Sequence, residues 1–322
     1  MFIHHIKNLV SHDFEAVNRF IIDKVHAQTG LIDNLANHII QSGGKRLRPL
    51  LVLLSSQACH YQGQNHILLA ALIEFFHTAT LLHDDVVDES KLRRGRQTAH
   101  DIWGAKASIL VGDYLFTIYM QLLVTIGNLP IMALLTDMSN QIADGEIQQL
   151  TNRHNDNPKM EDYFKVIRAK TSLLFAASTA SGAMLAEANQ ETVQGLYEYG
   201  LYIGNAFQLI DDALDYCADV HTLGKNIGDD LADGKATLPL LHALQYGTIT
   251  QQEKIRTSLT QGTLDYLPDI LEAIMSTNAI DYTKQIARQE IDKALSALEI
   301  LTPSTYKEAL KELAWYALER DH

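Results

Sequence analysis

Apolar residues recur at helical spacing along almost the whole chain. One stripe runs through Leu68, Leu72, Phe75, Ala79 and Leu82 in steps of four and three residues, which is the spacing of one face of an α-helix. The 322 residues include six prolines, whereas average usage of about 5% predicts ~16. Because proline breaks helices and strands alike, its scarcity favours long helices.

The same apolar spacing returns over residues 109–126, 164–185, 196–216 and 280–300. No convincing alternation of apolar and polar residues, no glycine-rich strand-to-helix turn and no repeat of fixed period accompanies it. The sequence therefore predicts an all-α fold of ten or more helices. We find no linker that would mark a boundary, so we expect a single domain over residues 1–322.

Composition and charge exclude several classes of protein. Apolar residues make up 47% of the chain and charged residues 20%, as in folded globular proteins. The 39 acidic and 26 basic side chains give a net charge of −13, which argues against nonspecific nucleic-acid binding. Cys59 and Cys217 form no CxxC pair, so we expect neither a disulfide framework nor a thiolate zinc site.

The first residues and the most apolar stretch of the chain bear on its location. Residues 1–14 lack a positively charged region followed by a clean apolar run, so no signal peptide is predicted. Residues 109–135 are interrupted by polar side chains and Pro130. They predict a buried helical hairpin rather than a transmembrane segment. A cytoplasmic protein is expected.

Two aspartate clusters share the pattern DDxxD, each after an apolar helical stretch. They are Asp84, Asp85 and Asp88, and Asp211, Asp212 and Asp215. On a helix, the members four residues apart lie on one face and repel each other. Hard oxygen ligands suit Mg²⁺, which typically takes one or two carboxylates together with substrate phosphates. The pair of clusters predicts a magnesium site for a phosphate-bearing substrate.

Three groups of basic side chains are candidates for binding phosphate. One group follows a pair of glycines near the start of the chain, and the other two follow the acidic clusters. They are Lys45, Arg46 and Arg48 in the segment GGKRLRP, Arg93 and Arg94 after the first cluster, and Lys225 and Lys235 around the loop after the second. A nucleotide P-loop is excluded, because Ala236 follows Lys235 where serine or threonine is required. We interpret these groups as ligands of phosphate oxygens, with arginine able to bind them bidentately.

Taken together, these motifs resemble those of the trans-isoprenyl diphosphate synthases, and most closely the long-chain, octaprenyl-type polyprenyl synthases that make quinone side chains. The motifs occur in family order over nearly the whole chain: GGKRLRP, HxxxLLHDDVVDxSxxRRG, GDYL, the Lys170–Thr171 pair, FQLIDDxLDY and GKNxGDDLxxGKxTLP. The resemblance implies a bundle of long helices around a deep central cavity, usually in a homodimer. It also implies Mg²⁺-dependent extension of an allylic diphosphate, expected to be farnesyl diphosphate, by repeated condensation with isopentenyl diphosphate.

The resemblance also assigns roles to individual residues. The predicted metal ligands are Asp84, Asp88 and Asp211, supported by Asp85, Asp212 and Asp215. The predicted isopentenyl diphosphate site comprises Lys45, Arg48, His77 and Arg94. The predicted allylic diphosphate site comprises Arg93, Lys170, Thr171, Gln208, Lys225 and Lys235. In the family the released pyrophosphate is thought to take the proton, so no protein base is required.

Product length is predicted from the residues before the first cluster. Ala79 and Thr80 lie about one turn before Asp84, where family members with short products commonly carry aromatic residues. Small residues there predict an open tunnel and a long product, expected to be octaprenyl diphosphate. The small-residue run 176–183 fits a tunnel, although close helix packing explains it equally well. We expect the tunnel floor on the helix over residues 112–125 and on its partner helix, at larger residues such as Met120 or Leu123.

Two other functions share some of these motifs. A terpene cyclase of the same helical class also ionises allylic diphosphates, but such enzymes generally lack the second intact DDxxD and the isopentenyl-binding groups. A noncatalytic regulatory subunit of a heteromeric synthase would usually have eroded aspartates, whereas all six are intact here. Both are less favoured than the synthase.

Overall fold

A computed structural model describes residues 2–26, 30–41, 44–93, 95–217 and 227–319. Within these residues the regular structure consists of seventeen α-helices, one π-helical turn, one 3-10 turn and one hairpin of two-residue strands. The predicted all-α fold is confirmed.

The first eight helices are α1 (Phe2–Leu9), α2 (Ser11–His26), α3 (Gly30–Gln41), α4 (Leu47–Ala58), α5 (Asn65–Val87), α6 (Ala99–Trp103), α7 (Ala105–Ile126) and α8 (Leu129–Asn152). The hairpin of β1 (Leu92–Arg93) and β2 (Arg96–Gln97) lies between α5 and α6 in sequence, with Arg93 opposite Arg96. The other helices are α9 (Met160–Ile167), α10 (Leu173–Leu185), α11 (Gln190–Leu214), α12 (Asp229–Ala232), α13 (Leu238–Tyr246), α14 (Ile249–Gln261), α15 (Leu267–Ser276), α16 (Ala279–Ala297) and α17 (Thr305–Leu318). The π turn Arg168–Ser172 joins α9 to α10, and the 3-10 turn Leu298–Ile300 follows α16.

The chain forms two compact units, each built from separate segments. The first unit comprises Met1–Thr136, Leu174–Tyr197 and Leu298–Leu313, and the second comprises Asp137–Leu173, Glu198–Ala297 and Ala314–His322. Each DDxxD motif therefore belongs to a different unit. The single domain expected over residues 1–322 stays a prediction.

Helix α5 is the central helix of the first unit. It packs along α7 and also against α4 and α2. The apolar stripe predicted from the sequence forms its inner face, since Leu72, Phe75, Ala79 and Leu82 are all buried. Burial of these apolar side chains stabilises the position of α5. The last turn of the helix is therefore held in a fixed position.

Helices α4 and α10 approach each other at backbone distance. Residues 176–183 on α10 are entirely buried, and a Cβ atom on Gly182 would meet the Ser55 hydroxyl and lie 2.9 Å from the carbonyl oxygen of Val52. Close helix packing therefore requires a small residue at this point of the run.

Helices α7 and α8 form the predicted helical hairpin. Gly127 ends α7 in a left-handed conformation (φ 67°), and the Asn128 side chain accepts the amide hydrogen of Ile131 at 3.1 Å. By length and composition alone, α5 and α7 could each cross a membrane. The core helix of a folded domain meets the same criterion, and α5 is such a helix. The hairpin is only partly buried, because one face of α7 is exposed.

Candidate active site

The first DDxxD motif forms the end of α5. Asp84 and Asp85 lie in its last turn, and Asp88 caps it, with its amide hydrogen bonded to the Asp84 carbonyl at 2.8 Å. A helix C-terminus carries a partial negative charge. The Asp84 and Asp88 carboxylates at this position add to that charge, which favours the binding of a cation.

Asp85 is buried and holds Arg93. The Arg93 side chain reaches back from β1 and donates to Asp85 Oδ1 from Nε at 2.9 Å and from Nη2 at 2.7 Å. Such charge-assisted bonds are among the stronger hydrogen bonds in proteins. The hairpin thus brings one predicted phosphate ligand beside the first motif. Its neighbour Arg94, predicted to bind isopentenyl diphosphate, lies outside the described residues.

The GDYL motif on α7 contacts His83, the residue before Asp84. His83 Nε2 lies 3.2 Å from the Ile109 carbonyl oxygen and 3.4 Å from Asp113 Oδ1. A Cβ atom on Gly112 would meet Nε2 of the His83 ring and lie 2.6 Å from its Cδ2 atom. Gly112 and Asp113 therefore allow α7 to contact the imidazole and fix the last turn of α5.

The GGKRLRP segment leads into α4 and supplies Arg48. Arg46 precedes the helix in a left-handed conformation (φ 49°) and its guanidinium donates to the Asn18 side chain. Arg48 Nη1 donates to His77 Nε2 at 3.1 Å, and its guanidinium lies over the Phe175 ring, 4.6 Å from the centroid. Two of the predicted isopentenyl diphosphate ligands are therefore in contact, and Lys45 is half-buried just before them.

A π turn interrupts the helix that the sequence predicts over residues 164–185. It spans Arg168–Ser172 and carries the predicted pair Lys170 and Thr171. Lys170 Nζ donates to Glu146 Oε2 and to Gln149 Oε1, both at 2.9 Å. Apolar spacing does not distinguish the two helix types over so few residues, and π turns are frequent at functional sites.

The second DDxxD motif ends α11 and belongs to a hydrogen-bonded chain. The Thr171 hydroxyl donates to Gln208 Oε1 at 2.7 Å, and Gln208 Nε2 donates to Asp212 Oδ1 at 2.7 Å. The Tyr163 hydroxyl donates to Asp212 Oδ2 at 2.6 Å. Both oxygens of Asp212 are therefore engaged, and three predicted site residues lie together.

Negative charge accumulates around Asp212. Burial and the nearby Asp230 carboxylate raise the pKa of Asp212 to about 8, although the hydrogen bonds from Tyr163 and Gln208 oppose the shift. The backbone amide of Asp230 also lies 3.3 Å from Asp215 Oδ2. A bound divalent cation would stabilise the ionised carboxylates of this cluster.

Lys235 lies in the turn after α12. Its Nζ is 2.8 Å from Asp233 Oδ2, and its amide hydrogen bonds the Asp230 carbonyl at 2.8 Å. Lys225, the other lysine predicted around this loop, lies outside the described residues.

Several residues around these clusters are absent from the sequence prediction. They are Tyr163, Glu146, Gln149, Asn205 and Glu290. Asp230 is different, because it stands in the GDDL segment, whose aspartates the sequence places around the second motif. The spacing of Glu146 and Gln149 places both on one face of α8, but no local pattern pairs them with Lys170. Tyr163 and Glu290 carry no sequence signal, because their partners are distant along the chain.

The carboxylates of the DDxxD motifs suit a hard divalent cation whose other ligands come from the substrate. Among the described residues, no group of three or more His, Cys, Asp or Glu side chains is arranged to hold a metal ion alone. Mg²⁺ typically uses one or two carboxylates, with waters and substrate phosphates as its other ligands. Each of the two DDxxD motifs supplies carboxylates of that type within its own unit.

Comparison with known proteins decides the family. Residues 29–274 match the family model described as polyprenyl synthetase. The chain belongs to the polyprenyl synthetase family. The octaprenyl diphosphate synthase of Escherichia coli (strain K12) is 44% identical over 322 residues, covering 100% of both chains. The Rhodobacter capsulatus all-trans-nonaprenyl-diphosphate synthase (geranyl-diphosphate specific) is 43% identical over 315 residues, covering 97% of this chain and 96% of that protein.

A solved structure supports the same assignment for this polyprenyl synthetase family member. The polyprenyl synthase from Caulobacter crescentus CB15, complexed with calcium and isoprenyl diphosphate, superposes with a TM-score of 0.95 at 41% identity. The match covers 99% of this chain and 98% of that one. The predicted resemblance and the enzyme class, a trans-polyprenyl diphosphate synthase, are confirmed.

Proposed function

We propose that this enzyme extends farnesyl diphosphate with isopentenyl diphosphate to all-trans octaprenyl diphosphate, a precursor of quinone side chains. The observation that carries the proposal is the pair of intact aspartate motifs at the ends of α5 and α11, each with a cationic or hydroxyl phosphate ligand beside it. Arg93 accompanies the first motif, and Thr171 and Gln208 accompany the second. The full-length similarity to an octaprenyl diphosphate synthase supports the product.

Magnesium is the metal that we propose, with Asp84, Asp88 and Asp211 as ligands. Asp85, Asp212 and Asp215 would support those ligands through their hydrogen bonds and charge. When bound, the metal supplies positive charge that stabilises the departing pyrophosphate. The calcium named with the Caulobacter crescentus enzyme supports a divalent ion in this family.

Isopentenyl diphosphate is proposed to bind Lys45, Arg48 and His77, together with Arg94. Because His77 Nε2 accepts a hydrogen bond from Arg48, the ring serves to orient the guanidinium and does not act as a base. Arg48 keeps other donors for phosphate oxygens, since a guanidinium has five N–H groups. The stacking on Phe175 limits the guanidinium to one plane.

The allylic diphosphate is proposed to bind Arg93, Lys170, Lys235 and Lys225, with Thr171 and Gln208, which hydrogen-bond each other, completing the site. Three of these cations are ion-paired in the protein: Arg93 with Asp85, Lys170 with Glu146, and Lys235 with Asp233. Asp85 keeps Arg93 at the first aspartate motif. All three carboxylates keep their cationic partners ordered, which lowers the entropy cost of phosphate binding.

The reaction that follows breaks the bond between C1 and oxygen of the allylic diphosphate, and pyrophosphate leaves with the electron pair. The double bond of isopentenyl diphosphate attacks the allylic cation, and loss of one proton to the released pyrophosphate restores a double bond. Water would quench the cation, so the site must exclude it. The buried apolar face of α5 just before Asp84, including Phe76, Ala79 and Leu82, supports that exclusion.

Product length is proposed to depend on Ala79 and Thr80. Ala79 is buried, and Thr80 is half-buried with its hydroxyl bonded to the His77 carbonyl at 2.9 Å. Thr80 and Asp84 are four residues apart on α5 and so share one face. Met120 is 45% exposed on α7, which makes it unsuitable as an interior tunnel floor. Leu123 is buried and stays the predicted floor.

A homodimer is proposed, formed through the exposed face of α7. Leu110, Phe116, Met120 and Val124 leave 38–70% of their surface exposed along this helix, and contiguous apolar surface of this kind marks protein interfaces. Light scattering should give twice the 36.0 kDa of one chain. Val124→Glu should shift the mass toward the monomer, whereas Ile249→Glu, a control at an exposed apolar residue in the second unit, should not. A monomeric wild-type protein would contradict the proposal.

The cytoplasm is the proposed location of the protein. Both cysteines, half-buried Cys59 and exposed Cys217, are free thiols. Free thiols are typical of proteins in reducing compartments.

The function is tested by incubating the purified protein with farnesyl diphosphate, labelled isopentenyl diphosphate and Mg²⁺, and then sizing the products. We expect octaprenyl diphosphate, and no incorporation when a chelator removes the metal. A parallel reaction with geranyl diphosphate tests the primer, because the Rhodobacter capsulatus relative is described as specific for it. Failure to incorporate label, or formation of cyclic hydrocarbons, would refute the proposed function.

A further inference from the structure

One buried carboxylate lies outside both aspartate motifs. Among the described residues, three acidic residues are buried: Asp85, Asp212 and Glu290. The first two belong to the proposed site, whereas Glu290 lies on α16 and is 8% exposed. Burying a charge is costly unless hydrogen bonds or an opposite charge compensate it. The contacts of Glu290 therefore indicate what its burial supports.

Glu290 begins a hydrogen-bonded chain that ends at the π turn. Asn205 Nδ2 on α11 donates to Glu290 Oε2 at 2.7 Å, and the Ser172 hydroxyl donates to Asn205 Oδ1 at 2.6 Å. The other oxygen of Glu290 is 2.5 Å from Lys293 Nζ. Both carboxylate oxygens are thus engaged, and three elements of the second unit are connected through side chains.

The π turn is also in close contact with two helix backbones. A Cβ atom on Gly204 of α11 would lie 2.5 Å from the Cα atom of Ser172. A Cβ atom on Gly145 of α8 would contact the Ala169 side chain and lie 3.6 Å from its Cα atom. Because neither glycine carries a side chain, both helices approach the turn closely. Ala169 and Ser172 therefore have little room to move.

The residues between these two contacts are those proposed to bind the allylic diphosphate. Lys170 and Thr171 lie between Ala169, next to Gly145, and Ser172, next to Gly204. Thr171 in turn donates to Gln208, which donates to Asp212. A change in the orientation of Ser172 would rotate Thr171 and separate it from Gln208.

We propose that Asn205 and Glu290 are positioning residues that hold the π turn, so that Lys170 and Thr171 are oriented toward the allylic diphosphate. This inference rests on the allylic site proposed above. Neither residue touches the substrate in this arrangement. They act through Ser172, and their effect is confined to the binding of one of the two substrates.

The test compares the KM values of the two substrates in four variants. Glu290→Ala should raise the KM for farnesyl diphosphate about tenfold, because one hydrogen bond to a charged acceptor is lost, and should leave the KM for isopentenyl diphosphate unchanged. Ser172→Ala, a smaller change, should act in the same direction. Glu290→Gln should stay close to wild type, because its amide oxygen can still accept from Asn205. Thr283→Val is the matched control on the same helix.

The control separates positioning from general destabilisation. Thr283 is buried two turns before Glu290, and its hydroxyl bonds the Ala279 carbonyl at 2.9 Å in its own helix. Its replacement should lower the melting temperature without changing the ratio of the two KM values. The inference is wrong if Glu290→Ala leaves that ratio unchanged, or if Thr283→Val changes it equally.

Hydrogen exchange in the same samples provides an answer that does not depend on activity. Glu290→Ala should accelerate amide exchange over Arg168–Ser172 relative to Thr283→Val. If wild-type protein incorporates no isopentenyl diphosphate, the proposed function fails, and the exchange rates alone decide whether Glu290 holds the turn. Unchanged exchange in Glu290→Ala would overturn the inference.

Discussion

Replacing Asp84 with alanine should lower the rate of isopentenyl incorporation by at least ~10³-fold, because a site that stabilises a leaving pyrophosphate by charge loses a metal ligand. The side chain lies in the last turn of α5, four residues from Asp88. Stability should change little. Relief of the repulsion from Asp88 and from the helix end offsets what is lost with the other interactions of Asp84, so the melting temperature should stay close to wild type.

The combination of lost activity and retained stability distinguishes a metal ligand from a structural residue. Incorporation of labelled isopentenyl diphosphate and thermal unfolding should be measured on the same preparation. Asp292→Ala is the matched control, because Asp292 is exposed on α16 outside both motifs. Activity of Asp84→Ala within tenfold of wild type would contradict the proposed role. An equal loss in Asp292→Ala would show that the effect is not specific to the motif.

Replacing Ala79 with tyrosine should shorten the product from eight isoprene units to a few, while the first condensations continue. The side chain is 1% exposed on α5, and its Cα atom precedes that of Asp84 by five residues, or about 7.5 Å of helix. A phenol ring there should block a tail growing along α5. The products of the sizing assay should therefore shift, with incorporation of the first units retained.

Ala79→Tyr has a different expected result if Ala79 lines no tunnel. If Ala79 is packed against protein atoms throughout, the larger ring should instead cost about 1–3 kcal/mol of stability and leave product length unchanged. Ala79→Ser is the size-matched control and should make the wild-type product. Thr80→Tyr, at a half-buried position on the same face as Asp84, should shorten the product with less strain. Full-length product from both tyrosine variants would refute the tunnel at this position.

The sequence predicts the parts of this protein that depend on local spacing. The apolar stripe through Leu72, Phe75 and Leu82 is the inner face of α5, and each DDxxD motif ends a helix as expected. The buried stripe follows from the helical period alone. The charge pattern likewise predicts a cation-dependent site, because carboxylates at a helix end require compensation.

Contacts between distant residues could not be predicted in this way. Tyr163 and Asp212 are 49 residues apart, and Asn205 and Glu290 are 85 residues apart. These pairs exist only because several helices pack together. The π turn Arg168–Ser172 also could not be predicted, since its conformation depends on the helices that contact it. Its residues alone are compatible with a continuous helix.

Overall similarity does not decide the length of the product. An octaprenyl synthase and a nonaprenyl synthase are 44% and 43% identical to this chain over almost its entire length. Their products differ by one isoprene unit. We propose that side chains along the tail make the difference, and Ala79 and Thr80 are the positions at which the proposal is tested.

The ion pairs of Lys170, Arg93 and Lys235 have a consequence for selectivity. Each carboxylate partner is held in the same folded chain, so it competes with external anions at a high effective concentration. A single inorganic phosphate must displace it with few compensating contacts and is a poor competitor. A diphosphate offers more oxygens for such cations and a metal, and so gains more contacts than a single phosphate. We therefore expect the paired cations to discriminate against single inorganic phosphate in favour of a diphosphate.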